Sequence, residues 1–247
     1  MGVYYTNPVT PRNVFDSLLV EHFEVLSFDP RGIGQSNSPN EQPTMLDYAE
    51  DMKKLMDALG WSDAYILGES FGGMVAQEFA LNFSACVKKL VLIVTSSGGA
   101  GGSSFPYHEH DISAMNDEEK AHFWVQCSDT RLESEGWKEA NTQKYHQQFS
   151  AYYKVFKMSR ANPNNALFSS RQISARKHHD TYERLSAIDV ETYICGGHFD
   201  KTAPINNQLS LLNQIPNARL TMFHGSHMLL WQDNFSFKSI AQFLINK

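Results

Sequence analysis

A chain of 247 residues with 42% hydrophobic and 19% charged side chains has the apolar material for one sizeable core, with room for an insertion. The net charge of −6, with lysines and arginines scattered rather than clustered, argues against a nucleic-acid partner. Three widely spaced cysteines, Cys86, Cys127 and Cys195, form no CxxC pair, so neither a disulfide framework nor a zinc knuckle is expected.

The opening stretch MGVYYTNPVTPR lacks a charged region followed by an apolar one. No uncharged apolar run reaches the roughly 20 residues that a bilayer crossing needs. A cytoplasmic protein with no membrane partner is the expectation.

Residues 23–28 form the first short apolar run that predicts a strand. Thr44 then caps a helix with Asp47 three residues on, Ala49, Met52, Leu55, Met56 and Leu59 share one face, and Gly60 ends it. Residues 64–68 predict a second strand, 74–83 a helix and 90–94 a third strand.

The glycine-serine stretch SSGGAGGSS, residues 96–104, leads into a region of helical caps and many aromatics, read as an inserted helical cap. Asn116 with Glu119 predicts a helix start, and Tyr145, Phe149, Tyr152 and Phe156 make an amphipathic stripe expected to be core rather than ligand wall. Strands resume at 192–195 and 219–223. The α/β alternation predicts a mostly parallel sheet flanked by helices, with functional residues in loops at the carboxyl ends of its strands. The expected division is a core of residues 1–103 and 180–247 with a cap of residues 104–179.

LGESFGG, residues 67–73, places Ser70 at a strand-to-helix turn and matches G-x-S-x-G. Small neighbours let such a turn close tightly and leave the hydroxyl free. The following helix aims its amino terminus at charge developing beside the serine, with the Phe71 amide as first oxyanion donor. A serine hydroxyl needs a base, and the base needs an orienting acid. Asp200 in GGHFDKTAP and His227 in HGSHMLLW follow strands in the required order; Asp180 and Asp189 compete as acids and His224 as base.

FDPRGIGQS at residues 28–36, GESFGG, GGHFDKTAP and GSHMLLWQD together resemble the α/β-hydrolase fold superfamily, in its capped branch of small soluble esterases, lactonases and carbon–carbon bond hydrolases. The resemblance covers nearly the whole chain. It implies an α/β-hydrolase fold with a structural turn at FDPRGIGQS and with Ser70, Asp200 and His227 as nucleophile, acid and base. The chain departs from the pattern where relatives carry His-Gly after a third strand. Here residues 3–6 take the place of that strand, Tyr5-Thr6-Asn7-Pro8 takes the place of H-G-x-P, and Asn7 becomes the second oxyanion donor. Two earlier amino-terminal strands are missing, which leaves the strand ending at Phe28 as an open sheet edge that favours pairing with another copy of the chain.

The expected function is a serine hydrolase acting through an acyl-enzyme on a small ester, lactone, thioester or related carbonyl compound. Phe123, Trp124, Trp137 and Tyr152 in the cap suggest an apolar or aromatic substrate. No cofactor is implied, and YHEHD and His178-His179 are read as polar cap surface rather than a metal site. Two alternatives remain open: a non-enzymatic ligand-binding or signalling protein with an impaired oxyanion hole, and an aminopeptidase releasing amino-terminal proline.

Overall fold

Four of the five apolar runs form one parallel sheet in the computed structural model of the chain, which describes residues 14–33, 36–37, 40–160 and 164–246. The strands are β1 (Ala64–Glu69), β2 (Val87–Ile93), β3 (Thr192–Gly197) and β4 (Ala218–Phe223), in the spatial order β1-β2-β3-β4. Leu67 lies opposite Val91, Val91 opposite Tyr193, and Tyr193 opposite Arg219. Because side chains alternate across a strand, Leu90 and Leu92 enter one core layer while Val91 and Ile93 enter the other, all four fully buried. A strand apolar on both faces must be covered on both.

The covering helices follow from the sequence in the same way. The short α1 (Leu19–His22) packs near the end of the chain on one face. On the other face, α2 (Met45–Ala58) starts at a complete capping box between Thr44 and Asp47, with Gly60 in the left-handed region (φ +73°) just beyond it. Beside it, α3 (Phe71–Asn82) is buried along ten consecutive residues, Phe71 to Ala80.

Between β2 and β3 come α4 (Asp117–Ser128), α5 (Trp137–Ala140), α6 (Thr142–Arg160) and α7 (Asn164–Lys177). Asn116 caps α4 as its spacing from Glu119 predicts. The aromatic stripe of α6 packs against α4: Trp124 lies 6.2 Å from both Tyr152 and Phe156, and His122 lies 4.4 Å from Phe149. After β3 and β4 come α8 (Ile205–Gln214), α9 (Leu229–Gln232) and α10 (Phe235–Ile245). No helix of the described residues is long and apolar enough to cross a membrane.

Residues 23–28 correct the expectation of a strand. From Glu24 to Pro30 the chain joins no ladder and instead runs beside β1. An apolar groove of about 520 Å³, lined by Val25, Leu26, Phe28, Ile66 and Leu67 among others, lies between the two. Apolar character was read correctly, but ladder membership needs a partner at hydrogen-bonding distance. Among the described residues the sheet edges are β1 and β4, and the segment ending at Phe28 is not an edge strand. Residues 3–6 lie outside the described residues.

The chain leaves and re-enters the core side by side. Thr181 donates its backbone N–H to Ser97 O at 2.9 Å and its hydroxyl to Gln77 Oε1 at 2.6 Å, and Gly98 bridges Asp180 antiparallel. A Cβ on Gly98, at φ +71°, would lie 1.8 Å from the His179 carbonyl oxygen. This close approach accounts for glycine there.

His179 itself is 5% exposed, and burial pushes its imidazole down to about 4 from 6.5. The Glu78 and Asp180 carboxylates oppose that shift and the Arg184 guanidinium reinforces it. A base with a depressed folded value is protonated first in the unfolded chain, so stability falls as pH drops from about 6.5 toward 4. At about 1.4 kcal/mol per unit, the full loss from this group is about 3 kcal/mol. Denaturant midpoints measured across that range should show this loss, and His179→Asn should flatten the slope.

Candidate functional site

Ser70 joins β1 to α3 with φ 51° and ψ −117°, a conformation that a non-glycine residue adopts only when its surroundings impose it. Two hydrogen bonds hold the turn: Ser70 N–H to Ile93 O at 2.9 Å, and Thr95 Oγ1 to Ser70 O at 2.8 Å. A Cβ on Gly68 would stand 2.3 Å from Gly72 O, so the first glycine of G-x-S-x-G is a steric requirement of this geometry.

The predicted site residues converge at the carboxyl ends of β1, β3 and β4. Ser70 Oγ lies 2.8 Å from His227 Nε2, and His227 Nδ1 lies 3.0 and 3.1 Å from the two carboxylate oxygens of Asp200. The Asp200 side chain is fully buried, and its Oδ1 also accepts from Ala203 N–H at 2.8 Å. With the Nδ1 proton facing this carboxylate, Nε2 is left as the acceptor for the serine hydroxyl. The Phe71 amide, first in α3, finds no acceptor among the described residues and points as a helix-start donor. Asn7 lies outside the described residues.

The competing residues lie elsewhere. His224 packs its ring on Phe199, 5.0 Å away, with its backbone N–H on Asp233. Asp180 accepts from Tyr182 N–H at the cap crossing, and Asp189 binds the Asn217 side chain.

A feature the sequence reading missed is the hold of the segment between β2 and β3 on the loops that carry Asp200 and His227. At the end of α4, Cys127 O accepts from Thr202 Oγ1 at 2.9 Å, Ser128 O accepts from His227 N–H at 3.0 Å, and Thr130 N–H donates to Phe199 O at 3.0 Å. Asp129 bridges Asp200 antiparallel, and its own carboxylate, fully buried, receives Arg131 Nε and Nη2 at 2.9 and 2.6 Å and Gln148 Nε2 at 2.9 Å. A buried carboxylate satisfied this completely fixes the segment that bears it. The only signal in the sequence was an Asp with an Arg two residues on.

The four aromatics expected in a cap split. Trp124 stacks on Tyr107 at 3.9 Å, Tyr107 shares a 3.0 Å hydrogen bond with Thr202, and Phe123 packs edge-on to Phe105 and Tyr107. Tyr152 is half-buried beside Ser128, and desolvation, helped by Asp200 and Glu69, raises its phenol above its ordinary value. Trp137 instead covers the Arg131 guanidinium at 5.0 Å. In YHEHD, His108 pairs with Glu109 and the His110 ring stacks on Phe105. Among the described residues no three His, Cys, Asp or Glu side chains gather as metal ligands.

Parallel strands, a strained serine elbow and the ordered Ser, Asp, His loops define a hydrolase of the α/β class. The family model for the α/β hydrolase fold matches residues 4–234, and the chain belongs to that family. It is 26% identical over 254 residues to a 2-hydroxy-6-oxononadienedioate/2-hydroxy-6-oxononatrienedioate hydrolase of Escherichia coli O139:H28, covering 93% of this chain and 78% of that one. The corresponding Klebsiella pneumoniae hydrolase is 27% identical over 242 residues with the same coverage. Among solved structures, a hydrolase from Pseudomonas aeruginosa superposes with a TM-score of 0.73 at 23% identity, covering 92% of this chain and 82% of its own. An enol-lactonase from Burkholderia xenovorans gives 0.71 at 21%, covering 92% and 83%. At these identities the superpositions speak for the fold alone.

Proposed function

We propose that the chain is a serine hydrolase that cleaves a small ester, lactone, thioester or related carbonyl compound through an acyl-enzyme. The observation that carries this reading is the unbroken line from Ser70 Oγ to His227 Nε2 at 2.8 Å and from His227 Nδ1 to Asp200 at 3.0 Å. His227 takes the Ser70 proton as Oγ bonds to the substrate carbonyl carbon, and Asp200 stabilises the imidazolium. The Phe71 amide receives the oxyanion, with Asn7 as its partner donor. The leaving group departs with the proton from His227, and water, deprotonated by the same imidazole, releases the acid and frees Ser70.

A curated relative named as a 2-hydroxy-6-oxononadienedioate/2-hydroxy-6-oxononatrienedioate hydrolase supports this reading, since its name is that of a hydrolase of a small oxo-acid. Tyr107, Phe123 and Trp124 stand close to the Asp200 loop and favour an apolar or aromatic acyl part. A series of p-nitrophenyl esters of increasing acyl length tests the reading: p-nitrophenol should be released with saturable kinetics and a clear length preference. A folded sample inactive across the series would point instead to a ligand-binding role.

A further inference from the structure

Where the chain passes from core to cap and back, a small cavity of about 30 Å³ opens between the two connections. Its lining includes four basic side chains, His108, Arg176, Lys177 and His179, the hydroxyls of Ser96 and Ser104, and no acid, in a chain whose net charge is −6. Arg176 donates Nε and Nη2 to Ser104 Oγ at 3.1 and 2.7 Å and Nη2 to Phe105 O at 2.6 Å, and its guanidinium covers the Tyr107 ring at 4.6 Å. All of its partners are neutral; among the described residues no carboxylate pairs with it.

His179 supplies an independent observation. It is 5% exposed, and among the described residues neither ring nitrogen has a well-formed hydrogen bond. A buried imidazole left unsatisfied is costly unless something in the cavity bonds it. The volume holds about two water-sized atoms, the size of the two oxygens of a carboxylate. A guanidinium beside hydroxyl groups is suited to such a group.

We propose that this crossing is a binding site for a carboxylate, held by Arg176 together with Ser104 and His179. One turn of helix separates it from the nucleophile, because Met74, which also lines the cavity, donates its backbone N–H to Ser70 O. The carboxylate is therefore either a free small acid, such as a product of hydrolysis, or the distal carboxylate of a substrate. In both cases it ties Arg176 of the returning connection to Ser104 of the departing one.

Two measurements separate these sources. Sodium acetate titrated against sodium chloride at constant ionic strength should raise the unfolding midpoint of the wild-type chain saturably, by about 2 °C. Arg176→Gln and Ser104→Ala should each weaken or abolish that response, the second variant keeping the guanidinium in place. In the second measurement, which alone rests on the hydrolase reading, kcat/KM is compared for p-nitrophenyl hemiglutarate and p-nitrophenyl pentanoate. If the substrate supplies the carboxylate, Arg176→Gln lowers the ratio of charged to neutral ester by roughly tenfold or more. Loss of the acetate response with an unchanged ratio identifies the free acid. Equal shifts with acetate and chloride, together with an unchanged ratio, overturn the site, whereas absence of turnover on either ester bears on the hydrolase reading alone.

Discussion

Ser70→Ala is expected to lower kcat on the best p-nitrophenyl ester by roughly 10⁵-fold, while circular dichroism and the unfolding midpoint stay close to wild type. The size of the loss reflects what disappears: the attacking oxygen, and with it any use for the base that lies 2.8 Å away. The Ser70–Ile93 and Thr95–Ser70 hydrogen bonds that shape the elbow use only the Ser70 backbone, so alanine inherits the turn intact. The Phe71 amide also survives, so a residual rate above that of water remains. A kcat within tenfold of wild type would remove Ser70 from the chemistry.

The second large effect is at Asp200, whose replacement by asparagine should cost about 10⁴-fold in kcat with little change in KM. An amide of the same shape still accepts from Ala203 N–H, as Asp200 Oδ1 does at 2.8 Å, so the loop keeps its anchor. It brings no negative charge to the imidazolium and no longer favours the tautomer with its proton on Nδ1. The Asp200 side chain is fully buried, so water cannot take the place of the lost charge. The kcat-against-KM split, with a normal unfolding midpoint, distinguishes this effect from loss of structure. Equal losses in Asp200→Asn and in a surface control such as Asp189→Asn would contradict the assignment.

The elbow was legible in the sequence because its constraints are local: a serine at φ 51° needs a glycine two residues back, where even a Cβ would strike Gly72 O. The approach of Asp200 and His227 to Ser70 was foreshadowed by their order after apolar runs. Capping boxes at Thr44 and Asn116 likewise declare themselves within four residues. What escaped depends on distant partners. β2 begins at Val87 rather than Leu90 because Lys88 pairs with Asp63 and Lys89 donates to Phe243 O and Asn246 O, so two charges that look like loop are satisfied within a strand. Residues 23–28 have strand composition without a ladder. Asp129 and the hold of the end of α4 on the Asp200 and His227 loops rest on contacts between residues far apart in the chain.

Intact-mass analysis after reaction with a fluorophosphonate tests the central claim most directly, because such a reagent bonds only to a serine oxygen whose proton a neighbouring base removes. One equivalent should attach to the wild-type chain, peptide mapping should place it on Ser70, and Ser70→Ala and His227→Ala should stay unmodified. A folded wild-type chain that remains unlabelled, or one labelled equally well without His227, would contradict the account.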